Sequence, residues 1–183
     1  MKIGPTHKIP FKRRLKGSTN YKRRLGLLLS GKPRLVIRKS LKYITLQLIE
    51  YDPKGDKTIV SSSSRELKNL GWNYSTSNIP AAYLSGLILG SKAKEKKIKE
   101  AILDIGPLSS VKGSKIYAAV KGVIDAGIEV PCSEDMFPSE SRIKGEDIVK
   151  YSKDCSKKNQ FTKNKPSNMV DDFEKIKKKI LKD

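Results

Sequence analysis

The chain reads as an α/β domain with a mixed sheet and packed helices, preceded by a basic arm and followed by a C-terminal helix. Three observations predict this. Apolar residues alternate with polar or basic ones between residues 34 and 63, which is strand periodicity. From residue 78 onward helix start and stop signals bracket apolar runs, with short apolar segments between them. The first 32 residues show neither pattern.

Taken in order, residues 1–32 form the arm. Gly4, Pro5, Pro10, Gly17 and Asn20 punctuate it, so it is expected to be extended as far as Ser18. A short helix is predicted over 19–30, with Thr19 as N-cap and Gly31 as its stop. Such a segment has too little apolar surface to offset its ordering entropy, and it is expected to order on a polyanion. The core begins at Pro33 and runs to 151. Leu35 and Ile37, then Ile44, Leu46 and Leu48, then Ile59 and Val60, predict three antiparallel strands near 34–39, 42–51 and 57–63. The cluster Asp52-Pro53-Lys54-Gly55-Asp56 supplies the second turn.

Ser64 is expected to cap a short helix through Leu67 and Leu70, ended by Gly71. Asn78 before Ile79-Pro80 opens a longer helix through Tyr83, Leu84, Leu87 and Ile88, extending toward Glu100. Five lysines in 92–100 are read as its solvated end, complementing the helix dipole. Residues 101–106 predict a buried strand, Ser114 a further helix ended by Gly127, and 128–130 a last strand stopped by Pro131. A short helix is expected near 145–151, followed by a linker over 152–167. In the tail, Met169, Phe173, Ile176 and Ile180 recur at helical spacing. That helix either docks on the chain's own core or binds a partner, and the spacing does not choose.

Charge is concentrated at one end. Of 39 basic and 19 acidic residues in 183, fourteen basic ones precede the first acid, Glu50. The remaining 25 basic residues face all 19 acidic ones, so more than two thirds of the net +20 lies in the first quarter of the chain. A single-sign block this dense repels itself unless a polyanion neutralises it, and nucleic acid is the leading partner. Candidate contacts are Lys8, Lys12, Arg13, Arg14, Lys16, Lys22, Arg23, Arg24, Arg34, Arg38, Lys39 and Lys42. Tyr21 joins them as a stacking platform. Net charge beyond what solubility needs argues against a merely solvating surface.

Other chemistries find little support. Cys132, Cys155 and His7 lack zinc-ligand spacing. The apolar run at 79–89 is too short to span a bilayer, and no secretory leader pattern is visible, so a soluble, cytoplasmic protein is expected. Residues 26–32 match the glycine and lysine spacing of a phosphate-binding loop. Pro33 replaces the magnesium-holding hydroxyl, however, and no strand precedes the segment. A nuclease would need converging carboxylates. Asp52, Asp56, Asp104 and Asp125 are the candidates, and nothing marks them as a cluster. Asp104 is read instead as a strand-end or helix-capping acceptor. No metal, cofactor or small-molecule substrate is implied.

Several strings are more specific. They begin with Tyr21-Lys22-Arg23-Arg24-Leu25, then Lys32-Pro33-Arg34-Leu35-Val36-Ile37-Arg38 leading to Tyr43-Ile44, and Tyr51-Asp52-Pro53-Lys54-Gly55-Asp56. They continue with Asn78-Ile79-Pro80-Ala81-Ala82-Tyr83-Leu84-Ser85-Gly86, Leu103-Asp104-Ile105-Gly106 and Gly113-Ser114-Lys115-Ile116-Tyr117-Ala118-Ala119-Val120-Lys121-Gly122. Asp125-Ala126-Gly127 and Val130-Pro131 complete the series. In this order they resemble the large-subunit ribosomal protein family numbered eighteen in prokaryotes and five in eukaryotes, with details closer to the archaeal branch. The likeness covers about residues 10–150. It implies a sheet topology like that of ribonuclease H without its activity. It also implies binding to 5S rRNA and attachment of that RNA to 23S-type rRNA at the central protuberance, beside neighbouring ribosomal proteins. The family's RNA contacts map onto Lys12, Arg13, Arg14, Tyr21, Arg23, Arg24, Arg34 and Arg38.

Overall fold

A computed structural model of the chain describes residues 8–154 and 166–182. Its elements in order are α1 (Lys12–Leu15), α2 (Tyr21–Leu28), β1 (Arg34–Lys39), β2 (Ile44–Glu50), β3 (Lys57–Ser63), α3 (Ile79–Glu95), β4 (Ile102–Asp104), α4 (Lys115–Asp125), α5 (Glu140–Lys144), α6 (Glu146–Asp154) and α7 (Met169–Lys182). The protein is α/β with a four-stranded mixed sheet in the order β3-β2-β1-β4. β1, β2 and β3 form the expected antiparallel meander, and β4 joins β1 in parallel. A bulge between Leu48 and Ile49 of β2 leaves Ile59 as the extra residue on β3.

Strand alternation separates the two faces of the sheet. Leu35, Ile37, Ile44, Leu46 and Leu48 are all fully buried on the inner face, where α3 packs against β2 and β3. Asn78 caps α3, its side chain accepting from the Ala81 N–H at 2.9 Å. α3 and α4 meet through glycines: a Cβ on Gly86 would stand 2.2 Å from the Ala119 carbonyl oxygen, and one on Gly122 2.2 Å from that of Tyr83.

α7 docks on the chain's own core. Met169, Phe173, Ile176 and Ile180 are all buried, and Phe173 meets the Tyr83 ring at 5.6 Å. Lys177 covers that ring, its Nζ 5.2 Å from the centroid. Tyr74 donates to Asp172 at 2.9 Å and Tyr83 to Asp125 at 2.7 Å. Burial first, then the hydrogen bond each donates to its carboxylate, raises both phenols: Tyr74 to about 12 and Tyr83 further. Below pH 10 each is protonated in folded and unfolded chains alike. Above it the unfolded chain loses these protons first, so stability is expected to fall from pH 10 through about 12. Thermal midpoints across that range check this, with Tyr74→Phe expected to blunt the fall.

Several expectations need correction. The arm is not extended to Ser18: the Phe11 carbonyl accepts from Arg14 and Leu15, starting α1, and Gly17 ends it at a φ of 64°. The cap of α2 is Asn20, which accepts from the Arg23 N–H, and not Thr19. The helix after β3 is a single 3-10 turn, Glu66–Lys68. Ser64 does not cap it, because its hydroxyl accepts from Ile44. α3 stops at Glu95, where Lys97 turns to a φ of 59°. Residues 128–130 form no strand beyond a single parallel bridge from Glu129 to Glu100. Helix begins at Glu140 rather than 145, breaks at Gly145, and continues to Asp154. The remainder of the expected linker, 155–165, lies outside the described residues, as do His7 and Cys155.

Candidate nucleic-acid interface

The outer face of the sheet carries the charge. Arg34, Val36 and Arg38 of β1 lie beside Ile49, Gln47 and Thr45 of β2. On the other side Asp104 of β4 pairs with Val36. This alternation turns five aliphatic residues of β1–β2 inward and Arg34 and Arg38 outward, so β1 serves both the core and the charged outer face.

Two carboxylates organise these arginines. Arg34 is 3% exposed. Its Nη1 donates to Asp104 Oδ2 at 3.0 Å and its Nη2 to Asp56 Oδ2 at 2.7 Å. Arg38 donates from Nη1 to the Asp104 carbonyl at 2.8 Å and from Nη2 to Asp104 Oδ1 at 3.3 Å. The Gly106 N–H donates to that same oxygen at 2.8 Å, so Asp104 is the strand-end acceptor its position predicts. Burying one guanidinium between two carboxylates compensates its desolvation, which an isolated charge could not do.

The arm is tied to this face through one of these acids, Asp56. Arg24 Nη2 reaches both Asp56 oxygens, at 2.9 and 2.8 Å. Arg23 Nη1 approaches the Gly106 carbonyl at 3.4 Å. At the strand's start Lys32 pairs with Glu100 at 2.5 Å. Phe11 and Tyr21 pack ring to ring at 5.3 Å, joining α1's entry to α2.

The candidate contacts therefore fall into three groups. Lys8, Lys12, Arg13, Arg14, Lys16, Tyr21, Lys22, Arg23, Lys39 and Lys42 are exposed. Among the described residues, none of the nine cations in that group makes an ion pair. Arg24 and Arg38 are half-buried, each held on one side by a carboxylate. Arg34 is enclosed and faces protein. Sequence reasoning missed Asp56 and Asp104 as the organisers of the arginines. The available signal was Arg34 between Pro33 and Leu35 at the start of a core strand, because an arginine that is buried is almost always paired with an acid.

Other chemistry does not assemble. Among the described residues no three His, Cys, Asp or Glu side chains are grouped to hold a metal ion. Asp125 accepts from Tyr83 at 2.7 Å. Gly26 lies inside α2, so the 26–32 segment is helix and turn and not a phosphate loop. Among the described residues no helix is long and apolar enough to cross a membrane.

The family described as Ribosomal large subunit proteins 60S L5, and 50S L18 matches residues 6–100. The chain belongs to that family. The match takes in α1, α2, the meander and α3, and thus both the cations and the helix behind the sheet that displays them. As a large-subunit ribosomal protein of this family, the chain is part of a ribonucleoprotein acting in translation. Its polyanion is ribosomal RNA.

Proposed function

We propose that this chain binds 5S rRNA and helps attach it to 23S-type rRNA at the central protuberance, as a non-enzymatic structural constituent of cytoplasmic ribosomes. The observation that carries the reading is the set of nine exposed cations on the arm and around the β1–β2 turn, from Lys8 to Lys42, that make no ion pair among the described residues. In this reading the arm, 1–32, supplies affinity, and the core, 33–151, fixes the register. The segment 152–183 adds the docked helix. Neither α1 nor α2 buries a residue, so the arm gains order on RNA. Arg34 acts from within by holding Asp56 and Asp104 in place for Arg24 and Arg38. The antiparallel meander followed by a strand parallel to β1 supports a ribonuclease H-like layout.

Crosslinking the chain within ribosomes and sequencing the attached RNA tests the proposal. Recovery of 5S rRNA through Arg23 or Arg24 is expected, and recovery of other RNA alone would overturn it. With roughly 6–10 phosphate contacts, affinity should drop about 10³–10⁵-fold between 50 and 200 mM salt. A binding constant indifferent to salt would sink the electrostatic account.

A further inference from the structure

Between α2 and the outer face of the sheet lies a cleft of about 160 Å³. Arg13, Arg23, Arg24, Arg34 and Arg38 all line it, against only Asp56 and Asp104. Five guanidinium groups facing two carboxylates leave a surplus of three positive charges around one small space. Mutual repulsion opposes gathering them there unless something negative enters.

The hydrogen bonds show the same shortage of acceptors. Among the described residues the buried Arg34 Nε has no partner, and Arg23's side chain makes just the long contact to Gly106. Arg13 donates its Nε to Thr19 at 2.9 Å, with no partner for its terminal nitrogens among the described residues. Arg24 engages Asp56 through Nη2 alone. Each guanidinium offers five N–H donors and no acceptor, so the cleft can satisfy its donors only by admitting oxygen atoms.

The wall opposite α2 is shaped for this. Gly106 adopts a φ of +62°, and a Cβ there would stand 2.9 Å from Arg38 Cζ. The missing side chain lets the Arg38 guanidinium lie along the loop while the Gly106 carbonyl faces Arg23. The space in the cleft is ample for one phosphate group, whose oxygens would meet the arginines around it.

We infer that this cleft seats a single phosphate group, and that a phosphodiester of an RNA backbone fills it. The inference rests on the proposed RNA-binding role and names where on the chain one phosphate is held. Bidentate guanidinium–phosphate pairing is the strongest contact available to these side chains. Arg23 and Arg38 are its main donors. Arg34, enclosed behind them, contributes charge and fixes the two aspartates.

Arginine modification by phenylglyoxal, read by mass spectrometry on the full chain, tests this. Rates at Arg23 and Arg38 are compared for the free chain, with 5S rRNA, and with inorganic phosphate against chloride at equal ionic strength. RNA is expected to slow both sites at least tenfold. Protection by RNA without protection by inorganic phosphate assigns the seat to the backbone. Protection by inorganic phosphate alone keeps the phosphate seat but overturns the backbone assignment. Protection by neither overturns the inference. RNA that binds yet leaves both arginines reactive removes this seat while the RNA-binding reading stands, whereas RNA that does not bind removes that reading itself. Arg23→Gln, whose side chain supports little else in the fold, is expected to lower the salt slope of RNA binding by about 1. An unchanged slope counts against the seat.

Discussion

Gly122→Ala is expected to destabilise the domain by on the order of 3 kcal/mol, at the upper end for an overpacked core. The added methyl would lie 2.2 Å from the Tyr83 carbonyl oxygen and 3.1 Å from the Leu87 nitrogen. Both are backbone atoms of α3, so no rotamer change relieves the clash and the helices must separate. Separation loosens Ala119, Val120 and Val123, all completely buried. Gly86→Ala is the reciprocal change, meeting the Ala119 carbonyl at 2.2 Å, and should cost a similar amount. Gly26→Ala is the contrasting case. It sits within α2 with nothing within 4 Å of a new Cβ, and should stabilise by about 0.5–1 kcal/mol through helix propensity alone. Urea midpoints of the three variants check the ordering, and a Gly122 variant as stable as the parent would refute the close crossing.

Asp104→Asn is expected to cost about 3–5 kcal/mol, the range for removing one partner of a buried ion pair. The amide keeps the shape but loses the charge facing Arg34. Its one NH2 replaces one oxygen, so it turns N–H donors either toward Arg34, 3.0 Å from that position, or toward Arg38, 3.3 Å from the other. Asp56 alone then balances Arg34 while also holding Arg24. RNA affinity should fall with stability, since Arg38 loses its anchor. Denaturation together with RNA titration reads both effects. If the change left stability intact and removed an RNA-cleaving activity, Asp104 would be catalytic instead. Joint replacement of Arg34 and Asp104 by apolar residues of similar volume should recover part of the loss, because the buried charge goes with its partner.

The meander was legible because period-two alternation and the Asp52–Asp56 turn cluster are local signals. α3 was legible from Asn78 and Pro80 for the same reason. What escaped was long-range. Arg34 finds Asp56 and Asp104 at separations of 22 and 70 residues, and no window of sequence joins them. The opening therefore read as uniformly uncompensated, although Arg24, Lys32, Arg34 and Arg38 each meet an acid in the fold. The 128–130 segment has strand composition, but only Glu129 comes level with a neighbour. The tail's apolar spacing marked a buried face, while its partner was settled by packing: Phe173 beneath Tyr83, and Ile180 beside Ser91, whose hydroxyl donates to its carbonyl.

Asp56 grips two elements at once, with unequal shielding. Its bond to Arg34 lies at an enclosed side chain, whereas Arg24 remains about one third exposed. Mobile ions weaken exposed pairs long before enclosed ones. Rising ionic strength is thus expected to free Arg24, and with it this tie between α2 and the sheet, well before the enclosed strand arginine loses its acid.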